Sequence, residues 1–223
     1  FLIQHGVKPL TSFKVMENVR KGKGLEKGGS NNRAELEAAH IPSWFIESCL
    51  KIQYLFPRAH AVAYVMMAFR IAWFKVYQPL AYYAAYFTIR AEGSFNAPII
   101  LKGLEAQKAE LARIAALPNP TAVEKGNATV IEVAAEMYLR GLSFLPIDLD
   151  RSDASEFKMV DGKLLPPFNC IPALGDAVAK EIVSARNEHS FTSKEDLKKR
   201  GKVSQSIIDT MDSMGILKGL PVR

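Results

Sequence analysis

The sequence is short of cysteine: Cys49 and Cys170 are the two in 223 residues. That number and spacing exclude a disulfide framework and a cysteine-based zinc site. Both read as small apolar residues of a reducing compartment, which implies a cytoplasmic location. Long uncharged apolar runs are also missing. A membrane span needs roughly 20 such residues, but Arg70 and Lys75 interrupt the run that starts at Ala59, and Arg90 cuts short the stretch from Leu80 to Ala91. A buried helix of a soluble protein is expected there, and no membrane partner. No signal peptide, internal repeat or low-complexity tract is apparent. The first residue is Phe1 rather than Met, so the chain reads as a piece of something longer.

What is present is an ordinary globular composition, 48% hydrophobic and 23% charged, with 29 basic against 23 acidic residues and a net charge of +6. The length allows one large domain or two smaller ones. The charge favours anionic partners such as nucleic acid, nucleotides or acidic lipids, without choosing among them. The overall pattern is mainly α. A short helix around "SFKVMENV" runs into the Gly- and Lys-rich loop "RKGKGLEKGGSNNR", and helix resumes over Ile41 to Phe56 with Ser43 as its N-cap. Two apolar helices follow, parted by Pro79; then a charged helix from Ile100 to Leu117 and another ending at Gly141. In "EFKMVDGKLLPP" the Asp161-Gly162 pair predicts a β-hairpin turn. The domain boundary is placed near Asp150 to Pro166, giving domains of 1–150 and 151–223, the second small, helical and basic.

The stretch "FPRAHAVAYVMMAFRIAWFKVYQP", Phe56 to Pro79, carries the first site candidates. At 100° per residue, Val62, Val65, Phe69, Trp73 and Val76 form a core face. The opposite face holds His60, Tyr64, Met67, Ile71 and Lys75, with Arg58 at its start. Such a face can stack a ring on a base while cations meet phosphates, and a helix N-terminus after Pro57 adds partial positive charge. A satisfied His and a buried, hydrogen-bonded Tyr account for the same pattern.

The identities go further than the pattern. "FPRAHAVAY…AWFK…QP" resembles the fingers signature of C-family bacterial replicative DNA polymerases. "KVMENVRKGKGL", "FIESCLKIQYLFP", "LAYYAAYFTIRAE" and "PPFNCIPALGDAVAKEIVSAR" are similar to the PolC type of that family. The resemblance implies that Phe56, Arg58, His60 and Tyr64 line the pocket for the nascent base pair and the incoming deoxynucleotide triphosphate. Arg58 stands where the family usually has Lys, so a planar fork replaces a point charge. Lys75 is implied to be structural or a backbone contact, and Arg20, Lys21 and Lys23 of "RKGKG" to meet phosphate or DNA backbone. The reaction would be nucleotidyl transfer with Mg2+, whose carboxylate ligands lie in the palm, upstream. Accordingly no catalytic residue and no metal ligand is assigned in this chain; the acidic run "IDLDRSDASE" reads as a solvated connector.

The tail has its own logic. "IPALGDAVAKEIVSAR" resembles a helix-hairpin-helix, in which Ile171, Pro172, Ala173, Leu174 and Gly175 present backbone N–H groups to a DNA phosphate. Lys180 and Arg186 would add charge. The family commonly has Gly where Ala173 stands, so a left-handed backbone there would be strained. Ser193 is an N-cap with Asp196 three residues on, close to a capping box. The implied partners are template-primer duplex DNA and the palm and thumb of the same polymerase. A sliding clamp would be engaged by the full protein, but "GLPVR" holds no clamp-docking peptide. The competing readings are a stand-alone, non-enzymatic helix-hairpin-helix DNA-binding protein and, with less support, a membrane-surface protein.

Overall fold

The computed structural model describes residues 1–25, 31–91 and 93–223. Expectations for 26–30, inside the Gly- and Lys-rich loop, fall outside the described residues. The chain forms two compact units, Phe1–Arg70 and Ile71–Arg223. The expected boundary near Asp150 lies inside the second.

In the first unit, α1 (Pro9–Arg20), α2 (Asn32–Ala38) and α3 (Ser43–Lys51) surround a small core of Val15, Val19, Leu25, Leu36, Ile41, Ile46 and Cys49. Pro9 opens α1, where its missing N–H costs nothing, and Val15 and Val19, four apart, face inward. Asn31 caps α2 by accepting from the Ala34 amide. Two expectations shift here. Pro42, not Ser43, occupies the cap position of α3, and that helix stops at Lys51 rather than Phe56.

Helix α4 (Arg58–Tyr77) begins in the first unit and ends in the second. Its predicted core face is not a core face: none of its residues is buried, and Phe69 is 76% exposed. The periodicity marked an apolar face correctly, but no described element covers it. Among the described helices α4 alone is long and apolar enough to cross a membrane by length and composition; Arg58, Arg70 and Lys75 lie within it.

The second unit has one core. α5 (Pro79–Arg90) contributes Tyr83, Ala84 and Phe87, and α8 (Ala122–Leu139) contributes Val130, Ile131, Ala134 and Met137. Between them, α6 (Ala97–Ile100) and α7 (Leu104–Ala115) replace the single helix expected over 100–117. The break falls at Gly103, whose φ of 97° no other residue adopts cheaply. Strands β1 (Lys158–Val160) and β2 (Lys163–Leu165) pair antiparallel, Val160 opposite Lys163, across Asp161 and Gly162 with φ of 50° and 74°. Both turn residues are left-handed, as a type I′ hairpin requires. Phe144 bridges Leu164, and the Leu145 amide donates to the Leu164 carbonyl, so the hairpin is sewn to the chain leaving α8. Finally α9 (Asp176–Glu188), α10 (Lys194–Arg200) and α11 (Gln205–Ser213) pack through Ile182, Leu197, Val203, Ile208 and Met211.

At the start of α8, Thr121 and Glu124 form a reciprocal capping box: the Glu124 amide donates to Thr121 Oγ1 (3.2 Å) and the Thr121 amide to Glu124 Oε2 (2.8 Å). Glu124 is held below the usual carboxylate range, chiefly by the Thr121 amide. Thr121→Ala is expected to cost about 1 kcal/mol, seen as a lower urea midpoint with unchanged cooperativity.

Candidate nucleic-acid interface

The face at the start of α4 survives as a surface. Phe56, Arg58, His60 and Tyr64 are all exposed, so the satisfied-core alternative fails. The rings form a ladder: Phe56 to His60 5.1 Å and His60 to Tyr64 4.3 Å between centroids, with Tyr54 6.0 Å from Phe56. Steps of four residues bring His60 and Tyr64 over one another on the helix. The ladder offers ring faces and edges, and the exposed Arg58 opens the same helix; rings and a cation are the combination that suits a base joined to phosphate.

Arg20 ends α1, and Lys21 and Lys23 follow it within the same unit. The Leu55 amide donates to the Arg20 carbonyl (3.0 Å), fixing this corner against the segment that leads into α4. Gly22 makes the approach feasible: its φ is 67° and a Cβ there would sit 1.7 Å from the Gln53 carbonyl oxygen. The three cations differ. Glu17 binds Arg20 through two hydrogen bonds (3.1 and 3.2 Å) and Lys21 at 2.7 Å, and these bonds, Arg20's first, lower the Glu17 carboxyl to a pKa of about 2. Lys23 makes no ion pair with any described residue, which leaves it the freest to meet an anion.

Lys75 is tied into the fold of the second unit. Its ammonium binds Glu136 at 2.8 Å and lies 5.3 Å from the centre of the Tyr82 ring, while Arg140 donates to its carbonyl and to the Tyr83 hydroxyl. The hydrogen bond to Glu136 raises its pKa.

The hairpin before α9 has the expected form. The Leu174 amide donates to the Ile171 carbonyl (3.1 Å), closing a turn with Pro172 and Ala173 at its centre, and Ala173 has φ 64°. Proline followed by a left-handed residue is the type II arrangement. Ile171 and Leu174 point into the core while Pro172, Ala173 and Gly175 face out. Gly175 sits at the N-cap without a side-chain cap, and the first amide of α9 with a backbone acceptor is that of Ala179, on Gly175. The amides of Asp176, Ala177 and Val178 therefore lack a partner among the described residues, as expected for an uncapped helix start. Together with the helix dipole they make a place for an oxyanion. The Asp176 carboxylate, at the same end, accepts from Asn169 Nδ2 at 3.0 Å. Lys180, one turn on, is exposed.

Arg186 does not join this surface. It is half-buried and turned inward: one guanidinium nitrogen donates to the carbonyls of Leu149 (3.2 Å) and Ser152 (2.7 Å), and the guanidinium carbon lies 5.9 Å from the centre of the Phe168 ring. Charge and position on the helix suggested a phosphate contact; the core-facing rotamer is a tertiary choice that spacing does not reveal.

The sequence also points to a second helix pair through "SQSIIDTMDSMGIL", and a second hairpin joins α10 to α11. Between α10 and α11, Lys202 has φ 52°, Val203 is buried, and Ser204 caps α11 by accepting from the Ile207 amide. The first hairpin repeats this order: left-handed Ala173, buried Leu174, cap Gly175. The signal was legible as "ALGD" and "KVSQ", yet four residues with different side chains carry no visible repeat. The two hairpins meet through α9: a Cβ on Gly201 would come within 3.2 Å of Ile182 and 2.8 Å of the Leu197 carbonyl. Lys202 pairs with Glu181 at 3.0 Å.

The connector is less solvated than its composition suggests. Asp148 accepts from the amides of Asp150 and Arg151, and Asp153 from those of Ser155 and Glu156. Ser152 is fully buried, its hydroxyl donating to the Pro166 carbonyl at 2.7 Å. No group of three His, Cys, Asp or Glu able to hold a cation occurs among the described residues.

Residues 141–223, which hold both hairpins, match the helix-hairpin-helix motif family. The similarity then extends beyond the tail. The chain is 52% identical over 221 residues to the PolC-type DNA polymerase III of Thermotoga maritima, covering 99% of the chain and 16% of that protein. It is 48% identical over 221 residues to that of Clostridium perfringens and 50% over 223 to that of Listeria monocytogenes, in each case over 99% of the chain and 15% of the relative. The likeness to the PolC-type family is thus shown over nearly the whole chain, as one segment: the chain spans about one sixth of the length of the curated relatives it matches.

Ala173→Gly is expected to stabilise the chain. Relief of a left-handed Cβ, about 1–2 kcal/mol, exceeds the roughly 0.4–1 kcal/mol by which glycine loosens the unfolded state. Chemical denaturation should give a net gain of about 0.5–1 kcal/mol; a loss would mean the methyl is packed rather than strained.

Proposed function

We propose that the chain is the fingers and duplex-binding part of a PolC-type replicative DNA polymerase, with residues 1–150 as fingers and 151–223 as the helix-hairpin-helix domain. End-to-end similarity to PolC-type DNA polymerases III is the observation that carries this reading. The exposed ladder of Phe56, His60 and Tyr64 with Arg58 supports a role against the incoming deoxynucleotide triphosphate: Tyr64 meets the forming pair, and Arg58 and His60 meet triphosphate oxygens. Arg20, Lys21 and Lys23 meet phosphate or DNA backbone, Lys23 most freely. Lys75 holds α4 to α8. The first hairpin, with its open amides and Lys180, grips the duplex by a phosphate without reading bases.

The whole polymerase would join a primer 3′-hydroxyl to the α-phosphate of the nucleotide, with Mg2+ stabilising the developing charges. Among the described residues no group of three His, Cys, Asp or Glu is placed to hold that ion. The chain's own part is binding and orientation, which hold the reacting groups in line. The uncovered apolar surface of α4 fits burial against other parts of the same polypeptide, the palm and thumb, better than a bilayer, since Arg70 sits in its middle and Lys75 in an ion pair. A cytoplasmic location follows from this reading. The sliding clamp is a further candidate partner of the full protein.

Two measurements test the proposal. The chain should bind duplex DNA of unrelated sequences with equal affinity and a steep salt dependence; Lys180→Ala should flatten the slope of log K against log salt by about 0.9, the value for one phosphate contact. Sequence preference or an unaltered slope would remove the hairpin face from the interface. In the complete polymerase, Tyr64→Ala should lower kcat/KM for nucleotide at least tenfold while duplex affinity changes less than twofold. Normal nucleotide kinetics would overturn the pocket assignment.

A further inference from the structure

The hairpin before α9 is held at both ends by one short stretch of backbone. Upstream, the Phe168 and Asn169 amides donate to the carbonyls of Asp153 and Ala154, at 2.9 and 3.0 Å, just before the turn at Ile171. Downstream, α9 reaches back to the same stretch through Arg186, which donates to the carbonyls of Leu149 and Ser152. The receiving turn is itself closed. The Ser152 amide donates to the Asp148 carbonyl (2.9 Å), the Asp148 amide to Ser152 Oγ (3.0 Å), and Ser152 Oγ to the Pro166 carbonyl. Arg186 thus plugs a preformed ring of carbonyls with Phe168, fully buried, beneath it. It has no carboxylate partner among the described residues. Its donors face the connector, and its distance along α9 from the free amides of Asp176 to Val178 is more than two turns.

We infer that Arg186 is a positioning residue: by clasping the 148–152 turn it fixes the angle of α9, and with it the direction in which the first hairpin presents its amides to a phosphate. This rests on the duplex-binding reading above. The acidic connector then has a task, to set the aim of a DNA-gripping hairpin. A cation that acts through its geometry and one that acts through its charge leave different traces. Losing a phosphate ligand lowers both affinity and the salt slope. Losing a positioning residue lowers affinity while the number of counterions released stays the same.

The test compares the chain with its Arg186→Gln, Lys180→Ala and Ser152→Ala forms. Arg186→Gln is expected to weaken duplex binding about tenfold with the slope of log K against log salt changed by less than 0.3, whereas Lys180→Ala lowers that slope by about 0.9. Ser152→Ala, which leaves the Arg186 charge in place but loosens the ring, should repeat the Arg186→Gln result more mildly. It keeps the test open if Arg186→Gln does not fold. Amide hydrogen exchange without DNA should speed up at Phe168 and Asn169 in Arg186→Gln and Ser152→Ala, not in Lys180→Ala. A slope lowered by about 0.9 in Arg186→Gln, unchanged affinity, or unchanged exchange at those amides would each overturn the inference. If the unsubstituted chain failed to bind duplex, the duplex-binding reading would fall, while the exchange result would still decide whether Arg186 holds the hairpin.

Discussion

The second unit depends on the burial of four phenylalanines. Phe87 comes from α5, Phe95 from the loop beyond it, Phe144 from the segment after α8 and Phe157 from the approach to β1; their ring centres lie 5.0–6.1 Å apart. Edge-to-face contacts dominate, which adds to simple area burial. Because the four rings come from separate parts of the chain, this one cluster brings the helical pair, the β-hairpin and the connector together. The Phe157 amide donating to Thr88 Oγ1 fixes the register. Everything that positions the first hairpin is built outward from that cluster.

The two candidate surfaces obey opposite physical rules. At α4 the chain leaves large apolar and aromatic groups in solvent; the cost is an uncovered helix. At the hairpins the apolar residues, Leu174 and Val203, are buried as anchors and the polar backbone is what remains outside. Sequence-independent grip needs the second arrangement, since backbone amides meet a phosphate equally well under any base. Left-handed residues at 173 and 202 are the strain that this exposure carries.

Much of the local structure was legible. Asp161-Gly162, Gly141, Ser193 and Pro79 each dictate backbone geometry through their own chemistry, and each did so here. The left-handed conformation at Ala173 could be anticipated because a Pro-x-Leu-Gly turn leaves few alternatives. Less legible were the ends of helices whose last turns are apolar: α3 stops five residues early because Ile52 turns extended, with nothing in its side chain to announce it. The exposed state of α4 was also hidden. The spacing of apolar residues along a helix says which face wants cover, and is silent on whether cover exists within the same chain.

Taken alone, the sequence determined the helical class, the hairpin turns, the family likeness and the identity of the aromatic and basic residues of α4, because these follow from contacts within a few positions or from the residues themselves. Tertiary structure decided which cations are free. Lys75 and Arg186 read like Lys23 and Lys180 along the chain. Yet Glu136 lies 61 residues from Lys75, and the Leu149 and Ser152 carbonyls lie 37 and 34 from Arg186. A charge spent on a partner that distant is visible only once the chain has folded around it.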